Sequence, residues 1–447
     1  MITRRDLLRL LPMPLAAALH GQTKRGMIVR SARPEDLEMP LEGFLAWLTP
    51  VDRFFVRTHV YTPSVAPESW RLTVNGRVSS PLHLSLADLK QLPRAELTAV
   101  LECAGNSRSL HRPRVIGLQW GMGAAGNARW AGVRLADVLK KAGVRSGASQ
   151  VVFNGADAPI GKMPDFIRGI PLAKAMHPDT LLAYEMNGGA LIPSHGFPLR
   201  VVAPGWAGDS WVKWVTNIQV LDREFDGFWM KNAYRRPVRP VAPGAIVPLE
   251  RMEPVTNLRV KSVIAAPLEG DAVAAGPVRI RGAAWSDGDP IVRVDMSADS
   301  GRTWRAARLG QESAKYAWRL FELAWTIEQP GSYVLMSRAT AASGDIQPLV
   351  ADWNPSGYLY NACPQVRIEA GGSSARPERT AASPPVFPPE VRKACIGCHG
   401  EDMITGQRLT REQWDREVQK MIGWGAPVPP EDRAQIVDFL FRHFGPL

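Results

Sequence analysis

The stretch that decides the reading is "LECAGNSRS", residues 101–109, which holds Cys103, one of only four cysteines in 447 residues. A free thiol beside Gly105, Asn106 and Arg108 can be a packed core residue, a nucleophile or a soft metal ligand. A hydrolytic nucleophile needs a His and an Asp or Asn partner, and no persuasive set stands in the chain. What the sequence offers instead are cations in short aromatic or glycine-containing segments. They are "FVRTH" (Arg57, His59), "SHGFPLR" (His195, Arg200) and "WVKW" (Lys213). A thiolate suits a transition metal, while Arg and Lys suit phosphates and small oxyanions.

The bulk numbers agree with anionic chemistry. Lys and Arg total 54 against 43 Asp and Glu, a net charge of +11. Such a surface favours anionic substrates or acidic partners. The arginines are scattered singly, with no basic run and no nucleic-acid-binding module, so nucleic acid is excluded as a partner. Cys103, Cys363, Cys395 and Cys398 make no disulfide framework, and Cys363 reads as a buried strand residue. The N-terminal "TRRDLLR" and the mildly apolar "LLPMPLAAALHG" after it resemble a twin-arginine export signal, with Arg4 and Arg5 as the pair. Residues 1–20 are too short for a stable membrane span, and the expected location is the periplasm.

The texture of the chain changes along its length. Residues 25–248 mix short strands and helices. "SWRLTVNGRV" alternates and turns at Asn75-Gly76, and "LSLADLKQLP" predicts a helix capped by Ser85. "RWAGVRLADVLKKAGV" predicts a second helix ending at Gly143. Residues 249–370 carry alternating runs with a hairpin expected at Ser300-Gly301, the pattern of an antiparallel β-sandwich. Residues 371–390 are a Pro/Ala/Ser linker, and 391–447 a small helical unit built around "CIGCHG".

Cys-x-x-Cys-His is the attachment signature of c-type haem, with Cys395 and Cys398 forming the thioethers and His399 the proximal iron ligand. Met421, after the helix "TREQWDREVQ" and before a proline loop, is the expected second axial ligand, while Met403 lies too near His399. A zinc site would need a second ligand pair that the tail lacks. A different motif misleads. "GMGAAG", residues 121–126, matches a dinucleotide fingerprint behind the strand-like "VIGLQW". No acidic residue follows about 20 positions on to hold a ribose, so a nicotinamide cofactor is not expected.

"FVRTH", "LECAGNSRS", "GLQWGMGAAGNARWAGVRLADVL", "LLAYEMNGGALIPSHGFPLRVVAPG" and "WVKW" resemble, in order and spacing, the sulfite oxidase family of molybdopterin enzymes. The likeness runs from about residue 45 to 368 and ends in "ADWNPSGYLYNACPQVRI". It implies an α+β molybdopterin-binding fold, then an Ig-like β-sandwich dimerisation domain, here followed by a small all-α cytochrome c domain. It implies Cys103 as the molybdenum ligand, and Arg57, Arg108, Trp120 and Tyr234 in the substrate pocket. His59, His195, Arg200 and Lys213 match positions that hold the pterin and its phosphate. One departure is Ser356, where animal members carry a further substrate arginine. Another is a c-type haem after the molybdenum domain, where animal enzymes place a cytochrome b5-like domain before it.

The expected activity is a molybdenum-dependent sulfite dehydrogenase. It would oxidise sulfite to sulfate and pass electrons singly to its own haem c and then to an external c-type cytochrome. A homodimer is expected from the family's dimerisation domain. The rival readings are a sulfur dehydrogenase acting on protein-bound or thiosulfate-derived sulfur, and a non-catalytic electron-transfer or docking protein.

Overall fold

The computed structural model describes residues 26–371 and 385–446, so the export-signal reading of residues 1–20 and most of the linker lie outside the described residues. Two five-stranded sheets carry the first domain. One has the order Gly189–Ala190, Leu181–Met186, Ala125–Arg134, Arg94–Glu102, with Arg200–Val202 also pairing Leu181–Met186, and every pair is antiparallel. The other runs Leu82–Leu84, Leu72–Gly76, Asn217–Leu221, Gln150–Asn154, Arg168–Pro171, and its Leu72–Gly76/Asn217–Leu221 pair is parallel. Leu72 and Val74 alternate inward and meet Val133, Phe153 and Val201 in one core shared by both sheets. Burial of these β-branched and aromatic side chains is what fixes strand register.

Local signals account for the helices. Ser85 caps Leu86–Lys90 in a reciprocal capping box with Asp88, as its sequence predicts. Leu135–Ala142 buries Leu135, Val138 and Leu139 and ends on Gly143 at φ 68°, a left-handed cap that suits glycine. Two expectations need correction. "RWAGVR" belongs to the strand Ala125–Arg134, because its alternate residues pair on both sides in mid-sheet. "VIGLQW" is not a strand, and "GMGAAG" leads into a strand. No helix N-terminus follows that could take a pyrophosphate, so the dinucleotide motif has no structural meaning.

The second domain is a sandwich. A four-stranded sheet (Lys261–Ala266, Gly276–Trp285, Arg319–Ile327, Arg308–Leu309) packs on a five-stranded one (Ala272–Val273, Gln365–Ala370, Gly331–Ala341, Ile291–Ser297, Arg305–Ala306). Ile264, Ile280 and Phe321 from the first meet Val294, Leu335 and Ile368 from the second. Ser300 and Gly301, at φ 61° and 84°, turn the predicted hairpin. Phe44 of the first domain stacks on Trp285 of the second at 5.7 Å, and Val100 N donates to Tyr316 O at 2.9 Å. The last unit comprises helices Pro389–Cys395, Asp402–Thr405, Arg411–Gly423 and Arg433–Phe444 around Val391, Trp414 and Leu440. Phe387 is already part of that core, so the unit begins before residue 391. None of the described helices is long and apolar enough to cross a membrane.

Candidate active site

Cys103 is the first residue past the strand Arg94–Glu102, and its position is set by the strand's last side chain. Glu102 is buried. It accepts hydrogen bonds from Asn106 Nδ2 at 2.9 Å, Lys261 Nζ at 2.8 Å and Trp285 Nε1 at 2.8 Å. The last two donors come from the sandwich. Asn106 Oδ1 accepts from Ala124 N, and Cys103 N donates to Ala124 O at 2.9 Å. The thiol is thus clamped between two domains. Burial raises its pKa, and the cations Arg57 and Arg108 oppose that rise. A metal ion taking the thiolate would complete the opposition.

Cys103 lines a partly open pocket with Arg57, His59, Tyr234, His195, Arg200 and Lys213 among its other walls. Seven residues singled out in the sequence therefore converge. Arg57 lies 3.2 Å from the buried carboxylate of Asp36, whose pKa burial pushes up to about 6 against the pull of Arg57. His59 Nε2 is 2.7 Å from Tyr234 Oη, and the His59 ring stacks on Phe166 at 3.9 Å. Burial, then Arg57 and Lys213, holds His59 well below its ordinary pKa, so the imidazole is neutral. Burial raises the Tyr234 pKa, which keeps its proton on. Behind Tyr234, Arg168 lies over the ring at 5.1 Å and pairs with the buried Asp209.

The remaining cations are held differently. Arg200 donates to the carbonyls of His195 at 3.0 Å and Trp211 at 3.2 Å, lies over Trp130 at 4.8 Å, and has a buried, unpartnered Nε. Burial lowers its pKa to about 9. Lys213 Nζ donates to Ser194 O at 3.1 Å and sits over Trp214 at 4.1 Å. Burial, then Arg200, lowers its pKa to about 7, with Asp157 opposing. Neither makes a salt bridge among the described residues. Two cations with no carboxylate in salt-bridge contact, and with Asp157 and Asp36 acting on Lys213 only at longer range, fit an anionic group supplied from outside.

Two expected pocket residues stand one layer back. Arg108 is buried and does not line this cavity. Its Nη1 donates to Leu118 O at 2.9 Å and its Nε to Ser356 O at 3.3 Å, and it lies over Tyr358 at 5.0 Å. The reason is space made by missing side chains: a Cβ on Gly105 would stand 2.6 Å from Arg108 Nη1, and one on Gly357 2.8 Å from its Cγ. Trp120 is fully buried against Phe55 at 6.3 Å, again behind the wall. Ser356, where animal members of the resembled family carry an arginine, here supplies a carbonyl that anchors Arg108. Sequence reading missed Asp36, Arg168, Asp209 and Glu102. Only Glu102 left a sign, a carboxylate closing the otherwise apolar strand end "AVLE".

In the last unit, Cys395 ends the helix Pro389–Cys395, and Cys398 is exposed. His399 is half-buried, with Nδ1 3.2 Å from Gly400 O, and burial lowers its pKa. Met421 needs a correction: it lies in the last turn of Arg411–Gly423 and not in a loop beyond it, because the capping box at Thr410 and Gln413 starts a helix that runs on to Gly423. Glu417, four residues before Met421 and hence on the same helix face, acts electrostatically on His399.

The comparisons with known proteins follow the same boundaries. The oxidoreductase molybdopterin binding domain matches residues 59–229, and the Mo-co oxidoreductase dimerisation domain matches 252–371. The sulfite oxidase of Gallus gallus is 40% identical over 353 residues, 75% of this chain and 76% of that protein. This chain belongs to the sulfite oxidase family of molybdopterin oxidoreductases. The mitochondrial sulfite oxidase of Homo sapiens is 38% identical over 357 residues, and the match spans 65% of its length. The crystal structure of the sulfane dehydrogenase SoxCD from Paracoccus pantotrophus is similar with a TM-score of 0.66 and 28% identity, covering 80% of this chain and 90% of that one. A molybdenum–molybdopterin cofactor comes with the family, and the fold is its molybdopterin-binding domain followed by a dimerisation domain of mostly strands.

Proposed function

We propose that this chain is a periplasmic sulfite dehydrogenase that passes electrons to its own c-type haem and from there to an external c-type cytochrome. The observation that carries the reading is a clamped thiol, Cys103, in a pocket where Arg200 and Lys213 make no salt bridge among the described residues. When bound, the molybdenum–molybdopterin group supplies oxygen-atom transfer and a sink for two electrons. Cys103 Sγ would hold the metal as a thiolate, while Arg200, Lys213, His59 and His195 would hold the pterin and its phosphate.

The rest of the chemistry belongs to the chain. Arg57, its charge half offset by Asp36, presents a cation to the oxygens of an incoming sulfur oxyanion, and Arg108 adds its field from behind. Tyr234 Oη keeps its proton and donates, to His59 Nε2 or to a substrate oxygen. Sulfite and water become sulfate with release of two electrons and two protons, and the electrons leave one at a time. Cys395 and Cys398 would anchor the haem, with His399 and Met421 as axial ligands. Export through the Arg4–Arg5 signal supports the periplasm as location, and the dimerisation domain supports a homodimer.

Anaerobic addition of sulfite to the oxidised, exported protein tests this reading through the haem absorption spectrum. Rapid haem reduction, lost in Cys103→Ser, is expected. No reduction in protein carrying both molybdenum and haem overturns sulfite as substrate. It would favour a second reading, oxidation of protein-bound or thiosulfate-derived sulfur, which Ser356 and the likeness to the sulfane dehydrogenase support.

A further inference from the structure

The C-terminal helical unit is seated on the catalytic domain, and its seat leads to the pocket. Trp424 closes the helix Arg411–Gly423 as its C-cap, three residues past Met421. Its ring lies 5.7 Å from Phe228 and 6.2 Å from Trp229, centroid to centroid. Trp229 in turn lies 4.9 Å from His59, which touches Tyr234 through the 2.7 Å contact. His59 and Tyr234 are cavity walls. A continuous run of packed rings thus joins the helix of Met421 to the space in front of Cys103.

The backbone around this contact is shaped for it. Trp424 O accepts from Lys162 N at 2.9 Å. Gly161 has φ +59°, and a Cβ there would stand 2.9 Å from the same oxygen. A side chain at 161 would therefore push the unit away. The rest of the seat is mainly polar: Ala32 N donates to Asp402 Oδ2 at 2.6 Å, and Arg33 donates to Ile396 O. Gly400 N donates to Arg33 O at 2.6 Å, beside the Cys-x-x-Cys-His loop, and Gln407 Nε2 to Gly117 O at 2.9 Å. Ile116 and Met403 add apolar contact at the far edge, and the Trp424 ring supplies it at the edge nearest the pocket.

We propose that Trp424 is the positioning residue that seats the C-terminal unit on the Trp229–His59–Tyr234 wall, so that electrons cross between the two redox groups at this contact. The proposal rests on the reading of residues 395–399 as a haem site and Cys103 as the molybdenum ligand. One electron crosses at a time, from the two-electron centre to the haem, and an external one-electron acceptor removes it.

The test uses the full-length holoprotein and needs no substrate. The haem is reduced by a flash-generated photoreductant, and the passage of its electron to the molybdenum centre is timed. Amide exchange at Lys162 and Gly400 reports seating separately. In Trp424→Leu, electron passage should slow about tenfold and the Lys162 amide should exchange about tenfold faster, as the seated fraction falls. Trp424→Phe should restore most of both, and Gly161→Ala, made on the opposite surface, should reproduce the Leu phenotype. Unchanged electron passage in Trp424→Leu or Gly161→Ala overturns the proposal, even where exchange quickens. Protein whose spectrum lacks covalent haem overturns the functional reading itself, before any variant is made.

Discussion

Two sets of buried cations lie within the catalytic domain and its border with the sandwich, and they are treated in opposite ways. Lys261 and Arg168 each face a buried carboxylate, Glu102 and Asp209, and all four side chains are almost fully enclosed. Arg200, buried, and Lys213, half-buried, instead touch carbonyls and aromatic faces, with Asp157 and Asp36 acting on Lys213 only at longer range. A desolvated charge without a partner is costly, and a chain that only had to fold would remove it. In the first set, Lys261–Glu102 holds the Cys103 loop in place and Arg168–Asp209 backs Tyr234. The second keeps a deficit of negative charge that a phosphate-bearing cofactor would fill. The difference separates side chains that build the site from side chains that wait for a ligand.

Breaking a pair of the first kind should have the largest effect on folding. Glu102→Gln leaves Lys261 Nζ buried with no counter-charge, and should cost about 3–5 kcal/mol in denaturant unfolding of the cofactor-free chain. The double variant Glu102→Gln, Lys261→Met should recover most of that loss, because the orphaned charge leaves with the lysine. A single variant as stable as the parent would mean that the pair contributes nothing to the clamp. Both variants would also loosen Cys103, so thiol reactivity in cofactor-free protein should rise in the single variant before stability is restored in the double.

Truncating a cation of the second kind should do the reverse. Arg200→Met removes a charge that the cofactor-free fold carries at a cost, so that form should be as stable as the parent or more so. Cofactor retention should fall at least about thirtyfold, the lower end for loss of one partner of a buried, hydrogen-bonded charge pair. Molybdenum content after purification and dialysis reads this directly. Parent-like retention together with a destabilised cofactor-free fold would place Arg200 with the structural set.

How far the sequence could foresee this division follows from its physics. Glycine turns, caps and strand alternation are local, so Asn75-Gly76, Ser85, Gly143 and the Ser300-Gly301 hairpin could be read directly. The cations could be named, since Arg and Lys in aromatic or glycine-bearing segments are unusual interior residues. Their partners could not. Asp36 meets Arg57 and Asp209 meets Arg168 only after the chain has folded, and no periodicity marks either carboxylate. The resemblance puts Arg108 and Trp120 in the substrate pocket, and in this fold they stand one layer behind the residues that line it. Their retreat behind it is fixed by the absent side chains of Gly105 and Gly357 and by the packing of Phe55, none of which spacing encodes. The RWAGVR segment went wrong because a mid-sheet strand followed at once by a helix leaves no turn residue to divide the two periods.

The finest test of the comparison is a pH dependence. In the cofactor-free fold Lys213 releases its proton near pH 7, driven by burial and then by Arg200, whereas the unfolded chain holds it to about 10.5. Between these values the unfolded state binds the extra proton, so stability should rise as pH rises from about 7 toward 10. Asp157 titrates outside that window and with the opposite sign. Burial lifts its pKa from 3.8 to about 6, the folded state binds the extra proton, and stability falls with pH between those values. Urea unfolding midpoints of the cofactor-free chain at about pH 7 and about pH 9 would measure the Lys213 slope. Lys213→Met should be the more stable protein at the lower pH and should reduce the slope, leaving the share of Lys174, whose pKa burial lowers to about 8. A slope as steep as the parent's would assign it wholly to other groups and deny that Lys213 is held in charge deficit. Cofactor binding sharpens the same point: an anion beside Nζ raises the lysine's pKa again, so the loaded protein should show a weaker slope than the empty one.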